Sequence, residues 1–199
     1  MSFYNTIEQE GFAEFKDRGS KFLAYAFPFA EITLLKNIVQ KLKKEHPKAV
    51  HFCFAYRIGV TKNVFRSSDD GEPSGSAGKP ILGQLDSKEI TDVLIVVVRY
   101  FGGTLLGVPG LINAYKTAAS LALQVTPVVS KPILVQYSIQ FNYTQLNDIM
   151  MIINQFGCVV LSKEIQLFCI YNVGVPTERV DNVLHLLKEM QNVEVVKIL

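Results

Sequence analysis

The pattern of apolar and polar positions divides the chain into segments with strand or helix periodicity. Residues 11–28 predict two strands around a turn at Arg18–Ser20, and the apolar spacing of residues 32–42 predicts a helix. Residues 49–58 alternate, which predicts a strand with one face in the core and a semi-polar face presented outward. Residues 93–98 are uniformly apolar, so we expect a central strand that is covered on both faces.

The pattern after residue 131 predicts a second domain. Strand segments are expected at residues 133–141, 158–161, 166–173 and 193–198, and helices at residues 144–156 and 177–190. The resulting order, βαββαβ, is that of a ferredoxin-like domain. Because two prolines flank Val128–Lys131, we expect the boundary near residues 126–132 and the domains to be 1–128 and 129–199. The chain is therefore expected to be an α+β protein of two domains.

Two glycine-rich segments indicate a site, because neither can form core secondary structure. Residues 69–78 contain three carboxylates, two hydroxyl side chains and three glycines. Residues 99–107 link the predicted central strand to a helix predicted over residues 109–124. Glycines in such a link can aim backbone amides at an anion, with Arg99 supplying positive charge. A tight turn that needs glycine explains the same residues equally well.

These segments resemble a known family. His51-x-Cys53-x-Ala55-Tyr56-Arg57, then residues 69–75, then residues 99–103 are similar, in that order, to the motifs of the IMPACT amino-terminal domain, over about residues 10–125. The resemblance implies a first domain like the second domain of a small-subunit ribosomal protein. It implies a second domain like the carboxy-terminal domain of elongation factor G, as in the bacterial branch. One departure is Pro109, which removes a backbone donor from a run that is richer in glycine in the family.

Composition and charge limit the classes of function. The 199-residue chain has a formal net charge of +2, too small to indicate a dedicated nucleic-acid binder. Its three cysteines lack CxxC spacing, which indicates reduced thiols, and its longest apolar run is far shorter than a membrane span. We therefore expect a cytoplasmic protein with no membrane partner and no cofactor.

Two arrangements of chemically active side chains allow more than one interpretation. The carboxylates of Asp69, Asp70 and Glu72 suit a hard cation such as Mg²⁺, but the segment lacks the spacing of a calcium loop, and a solvated or amide-capping turn explains it as well. His51 and Cys53 share one strand face, yet their spacing separates them by roughly 6.5–7 Å, beyond hydrogen-bond reach. No catalytic residue is assigned, and an enzyme is not favoured.

Both domains resemble parts of the translation machinery, and Arg57 and Arg99 lie beside the glycine-rich segments. The resemblance therefore implies a binding protein that regulates translation by contacting RNA, the ribosome or a translation factor. Eukaryotic relatives in the family act by protein–protein competition in the control of an initiation-factor kinase. Two alternatives stay open: a metal-assisted phosphate-ester hydrolase built on the acidic loop, and a protein-interaction module centred on Val135, Tyr137 and Ile139. The residues expected to bind ligand or nucleic acid are His51, Arg57, Asp69, Asp70, Glu72, Ser74, Arg99, Tyr100, Gly102 and Gly103.

Overall fold

A computed structural model describes residues 2–198, and its helices and strands form the α+β architecture that the hydrophobic pattern predicts. Up to residue 132 the elements are β1 (Phe3–Ile7), β2 (Gly11–Asp17), β3 (Ser20–Pro28), α1 (Leu35–Glu45), β4 (His51–Ile58), β5 (Val64–Ser68), α2 (Gly78–Ser87), β6 (Val93–Tyr100), α3 (Gly107–Val125) and β7 (Val128–Pro132). They are followed by β8 (Leu134–Phe141), α4 (Leu146–Gln155), β9 (Val159–Ile165), β10 (Cys169–Pro176), α5 (Val180–Glu189) and β11 (Glu194–Lys197). The chain divides into two units, Tyr4–Lys131 and a second unit in which residues 2–3 join residues 132–198.

The first unit is built on a five-stranded antiparallel sheet in the order β2-β3-β6-β4-β5. The central strand is β6, and its residues from Val93 to Arg99 are buried. Helix α1 packs on one face of the sheet through Leu42, and helices α2 and α3 pack on the other through Ile81 and Tyr115. The prediction of a central strand covered on both faces is confirmed.

The expectation that strand β4 presents its semi-polar face outward is wrong. Cys53 and Ala55 on that face are fully buried in the core formed by the sheet with α2 and α3. Both side chains are small enough for helix α2 to lie directly over strand β4. The polar residues at the ends of this face, His51 and Arg57, are only partly buried.

A two-stranded sheet of β1 and β7 was not predicted. Strand β7 lies in the segment expected to be a linker, and β1 precedes every predicted element. Neither segment has enough alternating positions to indicate a strand by itself, and their pairing joins residues far apart in the chain. The predicted domain limits, 1–128 and 129–199, stay a prediction.

The second unit has a four-stranded antiparallel sheet in the order β11-β8-β10-β9, which is the ferredoxin-like arrangement predicted from the βαββαβ order. Val135, Tyr137 and Ile139 of β8 pack in the core with α4 and α5. They are therefore not the centre of an exposed interaction surface, and that part of the interaction-module alternative is wrong. Within residues 2–198, no helix has the length and apolarity needed to cross a membrane.

Candidate functional site

Asp69 organises the acidic loop rather than facing a ligand. Its Oδ2 accepts a hydrogen bond of 2.8 Å from the amide of Gly75. Its Oδ1 accepts bonds of 3.0 Å and 2.8 Å from the amides of Ala77 and Gly78, where helix α2 begins. The carboxylate thus caps the helix from eight residues upstream of its N-cap and closes the loop on itself.

The titration of Asp69 should affect stability. Partial burial acts to raise the pKa of this carboxyl, but the amides of Gly75, Gly78 and Ala77 outweigh burial and hold the pKa below its ordinary value. A lowered pKa in the folded state adds stability above the ordinary pKa of about 4, and this stability is lost as the pH falls through the folded-state pKa.

We expect Asp69→Asn to lower the free energy of unfolding at pH 7 by about 1–2 kcal/mol, because one of the two accepting oxygens becomes an NH₂ donor and the remaining oxygen is uncharged. The difference from wild type should shrink between pH 7 and pH 3, because below about pH 4 the Asp69 carboxyl takes up a proton in the unfolded chain before it does so in the folded chain. Urea unfolding of both proteins at the two pH values checks this. An unchanged difference at pH 3 would contradict the assigned role of the charge.

The loop is joined to strand β4 by Asp70 and His51. The Asp70 Oδ2 atom accepts a 2.7 Å bond from the amide of Phe52, and the Asp70 carbonyl accepts a 2.8 Å bond from His51 Nδ1. Because a carbonyl can only accept, Nδ1 is the donor, and the other ring nitrogen, Nε2, lies on the side of Glu72, 3.9 Å from Oε1. The strand thereby fixes both the loop and the orientation of the imidazole.

Glu72 and Arg99 connect the acidic loop to the glycine-rich turn through a buried ion pair. Glu72 Oε1 lies 2.6 Å from Arg99 Nη1, and the two side chains are 4% and 6% exposed. The Tyr115 hydroxyl of α3 donates a 2.7 Å bond to the same oxygen. The Arg99 guanidinium also lies over the rings of Phe22 and Phe101. The two segments singled out from the sequence therefore meet.

The glycine-rich turn is held against the turn between β2 and β3. The Gly102 amide donates a 3.2 Å bond to Ser20 Oγ, and a Cβ atom at Gly102 would lie 1.9 Å from the carbonyl carbon of Gly19. Gly103 adopts a φ of 85°, in the left-handed region that favours glycine. Both glycines are explained by turn geometry and close backbone approach.

A pocket of about 440 Å³ opens beside the ion pair. Its polar lining is His51, Glu72 and Arg99, and the remaining lining residues carry no polar side-chain group. These residues are Val50, Pro73, Phe101, Leu105, Leu106, Gly107, Val108 and Leu111. Helix α3 begins at Gly107, so its first turn forms part of the wall. The arrangement suits a group with an apolar body and a polar end.

Neither of the catalytic arrangements considered from the sequence is assembled. The Cys53 thiol donates to the Asp69 carbonyl at 2.9 Å, and its Sγ lies 3.3 Å from the Tyr115 hydroxyl oxygen. Burial raises the pKa of this thiol far above the ordinary value. Such a thiol is not activated as a nucleophile. Asp69 and Asp70 are bonded to backbone amides, and residues 2–198 contain no cluster of three metal-ligating side chains. These positions give no support to a metal-assisted hydrolase.

Of the ten residues expected to bind, only His51, Glu72 and Arg99 line the pocket. Asp69, Asp70, Gly102 and Gly103 instead shape the loop and the turn, and the other three lie elsewhere. Arg57 is at the far end of β4, paired with Asp86. Tyr100 points to the α1 face, where its hydroxyl bonds His46 Nδ1 at 2.9 Å. Ser74 is exposed on the loop.

Sequence reasoning missed Tyr115, Leu105 and Val108 as parts of the site. Tyr115 is also a core residue of α3, and nothing in its sequence context separates the two roles. Leu105 and Val108 flank the glycines that drew attention to the turn, and their apolar character was the available signal.

Comparison with known proteins places this region in a family. Residues 18–123 match the model of the Impact N-terminal domain, and this range includes every residue that lines the pocket. The IMPACT family member YigZ of Escherichia coli is 34% identical over 163 residues, which cover 81% of this chain and 80% of that protein. YvyE of Bacillus subtilis, also an IMPACT family member, is 36% identical over 73% of this chain and 67% of that protein.

The chain is also similar to a eukaryotic protein and to a solved structure. Protein IMPACT of Xenopus laevis is 38% identical over 96 residues, which cover 46% of this chain and 30% of that protein. A crystal structure described as that of a hypothetical protein has a TM-score of 0.78 and 29% identity, covering 100% of this chain and 98% of that chain. The α+β fold is thus shared with a solved structure over the full length of the chain.

Proposed function

The chain belongs to the IMPACT family, and from this premise we propose that it is a non-catalytic binding protein that contacts a protein of the translation machinery through the pocket-bearing unit. The family resemblance noted from the sequence motifs is confirmed by the comparisons. The match to the eukaryotic Protein IMPACT covers only about half of this chain, and the family model covers the unit that carries the pocket. A function that is shared across the family would therefore reside in this unit.

The observation that carries the proposal is the apolar rim of the pocket. Leu105 is 82% exposed, and Phe101 and Val108 are 48% and 45% exposed, all beside one opening. Clustered exposed apolar side chains with a partly polar centre are typical of a surface that takes a protein partner.

The pairing of Arg57 and Arg99 with carboxylates favours a protein partner over an RNA partner. Arg99 is buried and paired with Glu72, and Arg57 is paired with Asp86. Binding to an RNA backbone depends on cations that neutralise phosphates, and these two arginines are already neutralised by carboxylates. Within residues 2–198, the lining of the pocket includes no lysine and no other arginine. The hypothesis of RNA binding depended on Arg57 and Arg99, and neither arginine is free to bind phosphate.

The proposal is tested by measuring the affinity of the purified chain for intact ribosomes and for individual translation factors, with two leucine variants. We expect the wild-type chain to bind one of these components. Leu105→Asp should weaken that affinity by about tenfold or more, because it buries a charge in an apolar contact. Leu167→Asp is the matched control, since Leu167 is 86% exposed and lies in the second unit, and it should bind like wild type.

Two outcomes would overturn this proposal. One is binding that follows RNA alone and declines steeply with salt concentration, which would restore the nucleic-acid interpretation. The other is the absence of binding to any ribosome or factor preparation by wild type.

A further inference from the structure

We propose that the outer edge of strand β2 binds the same edge of a second copy of this chain, so that two five-stranded sheets join into one. The pairing is antiparallel and two-fold symmetric, with Phe15 opposite Phe15 of the second copy at its centre. Glu14 of each copy then lies opposite Lys16 of the other. No residue of β2 lines the pocket, so the inference does not depend on the proposed partner in translation.

Strand β2 is an open edge of the first sheet. It is the first strand in the order β2-β3-β6-β4-β5, so one of its sides has no neighbouring strand in the part of the chain that the structure describes, residues 2–198. It contains no proline, and its register with β3 continues without a bulge from Gly11 to Asp17. An edge of this kind presents unpaired backbone groups to which another strand can bind.

The turn between β2 and β3 determines which residues direct their backbone groups outward. Arg18 and Gly19 have φ values of 44° and 81°, as in a two-residue type I′ turn. Such a turn makes Asp17 and Ser20, which lie opposite each other, a hydrogen-bonded pair. Because bonded and non-bonded pairs alternate along an antiparallel ladder, the even-numbered residues of β2 direct their N–H and C=O groups away from β3.

The free backbone groups of the edge therefore belong to Phe12, Glu14 and Lys16. No backbone hydrogen bond outside the sheet joins these residues to any other residue in the range 2–198. Their side chains are exposed, while Ala13 and Phe15 on the other face pack against the core. The core thus holds the strand extended and leaves its outer edge accessible to a second strand.

The charges on this edge favour one register with a second copy. Two-fold symmetric pairing sets residues of the same face opposite each other. With Phe15 at the centre, two pairs of Glu14 with Lys16 form. The four residues in these pairs are ones with outward backbone groups, so the same pairs exchange backbone hydrogen bonds. A register centred on Glu14 or on Lys16 would instead set like charges opposite each other, which is destabilising.

In the single chain, Lys16 lies beside a second cation. It is opposite Lys21 of β3, and both side chains are exposed. Two lysines in this position repel each other. The carboxylate that pairs with Lys16 within the chain is that of Glu14, whose Oε1 lies 2.9 Å from Lys16 Nζ. In the dimer, Glu14 of the second copy approaches Lys16 from its open side and offsets the repulsion.

Sedimentation equilibrium of the full chain at about 1–200 µM tests the proposal. We expect the mass of wild type to rise with concentration from the 22.3 kDa of one chain towards twice that value. Glu14→Lys and Lys16→Glu should each stay monomeric, because each variant sets two pairs of like charges opposite each other. An equimolar mixture of these two variants should form a dimer, since their edges then carry opposite charges.

Two further variants act as controls. Lys41→Glu is matched to Lys16→Glu, since Lys41 lies on α1 and the two lysine side chains are 67% and 65% exposed. It should form dimers like wild type. The double variant Glu14→Lys with Lys16→Glu restores the complementary charges and should form dimers by itself. Circular dichroism verifies that every variant is folded.

Any of three results would show that the proposal is wrong. The first is a wild-type chain that stays monomeric over the whole range, in which case the edge is left for a strand of a different protein. The second is a dimer of either single variant that is as stable as that of wild type, which would place the interface elsewhere. The third is a mixture of the two single variants that stays monomeric.

Discussion

Replacement of Glu72 by leucine is expected to lower the free energy of unfolding by about 3–5 kcal/mol, because it leaves the Arg99 guanidinium charged and unpaired in a buried site. The two side chains are 4% and 6% exposed, so water cannot readily replace the lost carboxylate. The Tyr115 hydroxyl would lose its acceptor as well. Urea unfolding at pH 7, followed by circular dichroism, measures the change.

Two further variants separate the buried charge from simple loss of packing. Glu72→Gln keeps an oxygen acceptor and the side-chain shape, so its cost should lie between that of wild type and Glu72→Leu. The double variant Glu72→Leu with Arg99→Met replaces the pair by apolar side chains and should recover much of the lost stability. A double variant that is less stable than Glu72→Leu would contradict this explanation.

The second large effect is expected at Gly102. In Gly102→Ala the new Cβ would lie 1.9 Å from the carbonyl carbon of Gly19 and 2.1 Å from the amide nitrogen of Ser20. Both contacts are with backbone, so no side-chain rotation relieves them, and the two turns must separate. We expect a loss of about 3 kcal/mol or more in the free energy of unfolding. Urea unfolding of the variant beside wild type measures it.

Gly83→Ala is the matched control for this substitution. Gly83 lies inside α2, and a Cβ atom there would meet nothing within 4 Å. Alanine in a helix interior is favoured over glycine by about 0.5–1 kcal/mol, so this variant should be slightly more stable than wild type. If both alanine variants unfold like wild type, the close approach of the two turns is not present in solution.

Much of the fold could be predicted because the elements have strong local periodicity. Strand β6 is a continuous apolar run, and the βαββαβ order of the second unit follows from alternating and helical segments. The pairing of β1 with β7 could not be predicted, since it depends on two short segments at opposite ends of the first unit. The burial of Cys53 and Ala55 was missed because small, weakly polar residues fit a covered face as well as an open one.

The candidate site could be predicted in part. The composition of the two loops marked them as a site, but their meeting through Glu72 and Arg99 depends on tertiary structure. Strand geometry alone separates Arg57 from His51, since six residues of strand span about 20 Å. The same alternation places Tyr100 on the face opposite Arg99. Leu105 and Val108 were not predicted as part of the rim, because single exposed apolar residues are common on protein surfaces and do not mark a site.

The most direct test of the central claim is amide hydrogen exchange of the chain, free and bound to its partner from the translation machinery. If the pocket-bearing unit makes the contact, exchange should slow on binding in residues 101–111, which carry the rim of the pocket and the first turn of α3. Protection confined to residues 132–198 of the second unit, with residues 101–111 unchanged, would contradict the account.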